Sequence, residues 1–128
     1  MFGNIKSSGF FAGNHRLPSR PGFYFDPTTN SLTLQLRDAF VFEEPLATDS
    51  AVVLLNDTQP GVLRRYVVGV RFDGVPLQPL DLANRATPRG TRMPSTKLIA
   101  LLKQLYPSAA TLPILKTVNE MDLLLYTV

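Results

Sequence analysis

Phe23-Tyr24-Phe25-Asp26-Pro27-Thr28-Thr29-Asn30-Ser31-Leu32-Thr33-Leu34-Gln35-Leu36-Arg37 is the stretch that decides the fold class. Phe23-Tyr24-Phe25 is a short aromatic run suited to a pleated strand. Asp26 to Asn30 is turn chemistry: a side-chain acceptor, a proline with preset φ, and an asparagine that tolerates the left-handed region. Leu32, Leu34 and Leu36 then alternate with Thr33, Gln35 and Arg37, the period of a half-buried strand. Residues 23–37 therefore read as a β-hairpin, and the chain as β-rich.

Downstream the same reading continues. Phe40-Val41-Phe42 extends the sheet after a bend at Asp38-Ala39, and Glu43-Glu44-Pro45 ends it. Ala51-Val52-Val53-Leu54-Leu55 is a continuous apolar run fit for a central strand. Val62 to Asp73 is the longest strand candidate, with Tyr66, Val68, Val70 and Phe72 on one face. Asp73-Gly74 has the signature of a tight hairpin turn. Val75-Pro76-Leu77-Gln78-Pro79 carries two prolines, so it is an edge strand or an extended loop. Residues 79–94 read as a long loop carrying Arg85, Arg89 and Arg92. Loops longer than about 12 residues in compact domains are usually functional or disordered.

The helix signal falls on residues 95–106. Leu98, Leu101, Leu102 and Leu105 recur at helical spacing, Pro94-Ser95 supplies a start and Pro107 a stop. Residues 108–119 are ambiguous, with Thr111 and Pro113 able to open a second short helix. Met121 to Val128 is apolar to its last residue and reads as a strand. The expected fold is an α+β, β-rich domain over residues 23–128: an antiparallel sheet of about five to seven strands, a small sandwich or barrel, with one helix near 95–106. Residues 1–22 precede it as an extended N-terminal arm. The arm is broken by glycine and proline, yet it carries Phe2, Ile5, Phe10, Phe11 and Leu17. It folds back on its own domain or lies on a neighbouring subunit.

Composition excludes several classes of function. The chain has 128 residues, one domain's worth, and its 45% apolar content is too high for wholesale disorder. It has no cysteine, so no disulfide framework and no thiolate metal site. No apolar run approaches the ~18 residues of a membrane span, and Met1 to Pro21 lacks the apolar core of a signal peptide. His15, the single histidine, sits in the arm, a poor place to hold a general base in geometry. No serine lies in a nucleophile-elbow context. Glu43 and Glu44 point to opposite faces of a strand, and with Asp49 read as a solvated strand end. Asn56 and Asp57 are too few for a cation cage, and Gly9 to Gly13 lacks the lysine of a phosphate loop. No enzyme activity, cofactor or metal is expected.

Charge is segregated along the chain. Residues 31–59 carry net −4 and residues 60–103 net +6, within an overall +3. Such a chain can complement another copy of itself, or turn a basic face to nucleic acid or to an acidic protein. The basic residues are mostly arginine, whose planar fork suits carboxylate and phosphate. Apolar termini, an arginine loop and segregated charge are devices of assembly, which needs no diagnostic residues. In outline the chain resembles a virus or phage structural component, such as a capsid decoration (cement) protein or a neck or tail adaptor. The resemblance is one of general style rather than of motif. It implies a virion location, otherwise a cytoplasmic one, and a homo-oligomer or a subunit bound to neighbours such as a major capsid protein. The partner-binding residues expected are Phe2, Ile5, Phe10 and Phe11 in the arm and Arg85, Arg89 and Arg92 in the loop. The alternative is a small basic nucleic-acid-binding protein using the same arginines.

Overall fold

A computed structural model describes residues 20–36, 41–46, 50–56, 66–76, 81–119 and 121–128. The hairpin forms as the sequence dictates. β1 (Gly22–Asp26) and β2 (Ser31–Gln35) pair antiparallel, with Phe23 opposite Leu34 and Phe25 opposite Leu32. The turn is closed by side chains: the Thr28 amide donates to the Asp26 carboxylate at 2.9 Å. Asn30 takes the left-handed conformation, with φ 56°. Its carbonyl accepts from the Val75 amide at 3.0 Å, and its side-chain amide donates to the Val75 carbonyl.

Around this hairpin stands a mixed, strand-rich sheet in the order β3-β4-β5-β2-β1-β7-β6, open rather than closed into a barrel. The remaining strands are β3 (Val41–Pro45), β4 (Ala51–Asn56), β5 (Val67–Phe72), β6 (Thr91–Arg92) and β7 (Leu124–Thr127). All neighbours are antiparallel except β1 and β7, which run parallel. A parallel pair requires a crossover, and the helices supply it. They are α1 (Leu82–Arg85), α2 (Ser95–Leu105) and α3 (Pro113–Val118), with one 3₁₀ turn at Pro107–Ala109.

The helices all pack on one face. Phe23, Phe25, Leu32, Leu34, Val70 and Phe72 rise from the strands to meet Leu98, Ile99 and Leu102 of α2 and Leu115 and Val118 of α3. Burying each such side chain contributes about 1.5–3 kcal/mol before chain entropy is counted. α2 ends before Pro107, as the restricted residue ahead of a proline demands. Tyr106 then seals the end: its ring lies 4.9 Å from Phe72 and its hydroxyl donates to the Asp73 carbonyl at 2.7 Å.

Several expectations are corrected. Among the described residues there is one sheet, not closed into a barrel, and α1, α2 and α3 cover one of its faces where a second sheet was expected. There are three helices among the described residues: α2 where the one helix was expected, α3 within the ambiguous residues 108–119 and opened by Pro113, and α1 within the expected loop. Strand β3 continues through Glu43, Glu44 and Pro45, since an outer strand tolerates a proline. Asp73-Gly74 makes no hairpin: only Gly74 has positive φ, 67°, where the expected turn needs two such residues. Alternation in β5 breaks at a bulge. Leu54 pairs with Gly69 but Leu55 with Val67, so Val68 is an extra residue. Val67 thereby packs against the main core, and Val68 joins Val41, Val52 and Leu54 on the second face. The loop of residues 79–94 contains α1 and β6. The strand reading from Val62 is described only from Val67, and residues 1–19 of the expected arm lie outside the described residues; Gly22 already belongs to β1. The C-terminal strand is present as β7. Among the described residues no helix is long and apolar enough to cross a membrane.

Candidate interaction surface

Arg85, Arg89 and Arg92 come together around one outer strand. Arg85 closes α1, Arg89 sits in the turn that follows, and Arg92 lies in β6; all three are exposed. The backbone that carries them is tied to β7. Thr87 bridges Tyr126, and the Thr127 amide donates to the Thr87 carbonyl at 2.9 Å. The Gly90 amide donates to the same carbonyl at 3.1 Å, closing a turn over Pro88 and Arg89. The Thr91 hydroxyl donates to the Thr87 hydroxyl at 3.1 Å. The start of α1 is held by Asp81, whose carboxylate accepts from the Asn84 side chain at 3.0 and 3.1 Å. Arg92 faces Asp122 at 3.3 Å, but the two side chains are 79% and 70% exposed, so the pair contributes little. Arg85 and Arg89 have no ion-pair partner among the described residues.

Gly90 makes this edge possible, and sequence reading passed over it. Its φ is 94°, and a Cβ placed there would lie 2.7 Å from Tyr126 Cε1 and 2.9 Å from Leu124 Cδ1. Gly74 also has positive φ, but no atom lies within 4 Å of its Cβ position. Gly90→Ala is expected to lower stability by about 2–3 kcal/mol, against about 1 kcal/mol for Gly74→Ala. Chemical denaturation of the two variants checks the order. Equal losses would mean that the β6 edge does not pack on β7 as described.

Below the edge, Tyr126 stacks on Tyr24, with ring centroids 4.9 Å apart and planes at 14°. The Tyr24 hydroxyl donates to the Arg20 carbonyl at 2.7 Å. Burial first, then the neighbouring Tyr126, push the Tyr24 phenol up to about 12, with Arg20 pulling the other way, so it stays neutral near pH 7.

The opposite edge is acidic. β3 carries Glu43 and Glu44. Glu44 is exposed. Glu43 is not the solvated strand end expected. Its carboxylate accepts from Arg71 Nη1 at 2.8 Å, across β4. Arg71 Nε donates to Asp73 Oδ1 at 2.8 Å and Nη2 to Asp73 Oδ2 at 3.2 Å. Burial works against the Arg71 charge, but the bonds and charge of Asp73 and Glu43 outweigh it and hold the guanidinium above its ordinary value. Glu43 and Arg71 are 28 residues apart, so only the strand order brings them together.

A cleft of about 260 Å³ opens between the sheet and α3, lined by Leu36, Val67, Leu112, Pro113, Ile114 and Thr117. The one hydroxyl in it donates to the Pro113 carbonyl at 3.3 Å. Among the described residues that line the cleft there is no acid, base or nucleophile pair. Among the described residues no group of three His, Asp or Glu is placed to hold a metal. Of the expected site residues, Phe2, Ile5, Phe10 and Phe11 lie outside the described residues, as does His15. α2 and α3 do not stand as a helix-turn-helix: both bury a face on the sheet, leaving Lys97, Lys103 and Lys116 outward.

No protein-family model, no curated protein and no solved structure matches the chain.

Proposed function

We propose that the protein is a non-enzymatic assembly subunit that binds neighbouring protein through its surface, most concretely a structural component of a virus or phage particle of the decoration, neck or tail-adaptor kind. One observation carries the binding part of this reading. Arg85, Arg89 and Arg92 stand exposed on one edge of the sheet, and Glu43 and Glu44 lie on the strand at the other edge. Opposed charge at opposite edges supports head-to-tail contact between copies, or contact with an acidic neighbour. The particle assignment rests on the general style of the sequence: a short β-rich chain, apolar at both ends, with no catalytic inventory.

Light scattering on the full-length protein tests it. A discrete oligomer at low salt that dissociates as salt rises is expected, because exposed charges are screened beyond ~10 Å at about 0.1 M. A monomer at every salt concentration overturns self-assembly.

A second reading, nucleic-acid binding, is favoured by Arg85 and Arg89, which have no ion-pair partner among the described residues. It requires duplex affinity that falls with salt at a slope near −0.9 per phosphate contacted. A flat response ends it.

A further inference from the structure

Among the described residues, four large apolar side chains stand in water: Phe42 at 44%, Tyr66 at 40%, Met121 at 37% and Val128 at 50%. Scattered single residues of this kind need no explanation. These four are not scattered: they gather toward the two ends of the strand order. Phe42 lies on β3 and pairs with Leu55 of β4, and Leu55 pairs with Val67, the residue after Tyr66. Met121 and Val128 flank β7, the strand that carries β6. Each group adjoins one of the charged edges. Phe42 and the exposed Glu44 are two apart on β3, so they share a face. Met121 directly precedes Asp122, which faces Arg92 at 3.3 Å.

The edges themselves are poor templates for an added strand. The Leu46 amide donates to the Ala51 carbonyl at 2.9 Å. Leu46 therefore turns its backbone groups to β4, as do Glu44 and Phe42 by alternation, while Pro45, Glu43 and Val41 turn theirs outward. Pro45 has no N–H to offer on that side, which guards the edge against pairing. β6, at the other edge, is only two residues long. Contact between edges therefore falls to side chains.

Resting on the reading of the protein as a head-to-tail assembly subunit, we propose that the joint between copies is apolar at its centre. Phe42 on β3 of one copy packs against Met121 of the next, and Glu44 beside Phe42 meets Arg92. The flexible thioether adapts to an aromatic ring, and sulfur–ring contact is favourable. The Arg92–Asp122 pair is highly solvated, so exchanging Asp122 for Glu44 of another copy costs little. Charge aligns the two edges and the apolar pair holds them. The two surfaces differ, so every copy offers both, and the copies close into a ring or continue in a row.

The chain has no cysteine, so single introduced thiols report on single places. Full-length Pro45→Cys and full-length Asp122→Cys put one thiol beside each surface and leave Phe42 and Met121 in place. Both positions are exposed, so the fold is expected to stand, which thermal unfolding checks. The two variants, one carrying a tag so that products differ in mass, are mixed at low salt and treated with a short bis-maleimide. The product joining one variant to the other is expected to exceed either self-joined product about tenfold. Adding Phe42→Ser to the first variant, or Met121→Ser to the second, should lower its yield about tenfold. Self-joined products in excess mean a two-fold contact and overturn the proposal. A yield unmoved by Phe42→Ser and Met121→Ser means that charge alone makes the joint, and also overturns it. No joined product from a protein that light scattering shows to be oligomeric places the interface elsewhere; the proposal falls and the assembly reading stands. A monomer at every salt concentration overturns both. Should Pro45→Cys unfold early, light scattering on Phe42→Ser and Met121→Ser alone decides: dissociation is expected, and an unchanged mass overturns the proposal.

Discussion

Arg71→Ala lowers the unfolding free energy by about 3–5 kcal/mol, a loss typical of breaking a buried ion pair from one side. Arg71 is 8% exposed and donates three hydrogen bonds to two carboxylates that come from β3 and from the end of β5. Removing the guanidinium leaves Glu43, 19% exposed at its side chain, facing Asp73 with no cation between them. Glu43→Gln should be milder, because the amide oxygen still accepts from Arg71 while Asp73 keeps the charge company. The double variant Arg71→Met, Glu43→Leu should recover much of the loss, since an apolar pair of similar volume needs no partner. Chemical denaturation of the three variants checks this order. A loss under about 1 kcal/mol for Arg71→Ala would mean that solvent already screens the network.

Replacing Arg85, Arg89 and Arg92 together with alanine is expected to abolish assembly while leaving the fold standing. All three are exposed, and the Arg92–Asp122 pair is too solvated to contribute much. Each change should therefore move stability by no more than about 0.5 kcal/mol. The association constant should fall about tenfold or more, because the three charges steer and align the acidic edge that they meet. Light scattering reads the mass and thermal unfolding reads the fold. An oligomer of unchanged mass would remove the arginine edge from the interface and leave β3 as the surface to vary next.

Much of the fold is legible along the chain because it depends on neighbours in sequence. The period-two leucines at 32, 34 and 36, the Asx turn at Asp26 and the helical leucines around Leu98 and Leu102 act over a few residues. They appear as β2, its turn and α2. Ile99, fully buried beside Leu98, was not in the expected stripe; the helix presents a broader face to the sheet than the leucines mark.

Less legible was whatever required a partner distant in the chain. Asp73-Gly74 carries hairpin chemistry, but the Asp73 carbonyl is taken by Tyr106 and the Val75 amide by Asn30, so the chain crosses over instead of turning back. The bulge at Val68 leaves no mark on the apolar run, because valine suits either face. Glu43 and Arg71 look like unrelated surface charges until β4 is laid between their strands. Arg85, Arg89 and Arg92 fall on one sheet edge, but their ordering on Thr87 and Gly90 follows from β7, which lies far along the chain.

By itself, then, the sequence determined the strand-rich class, the hairpin, the principal helix, the absence of thiol chemistry and the segregation of charge. These are set by composition and by short-range periodicity. The tertiary structure alone decided that the sheet stays open, that β1 and β7 run parallel, that acid and arginine lie on opposite edges, and that a bulge turns Val68 to the second face. Those properties belong to strand order and register, which arise from contacts between residues tens of positions apart and leave no local trace.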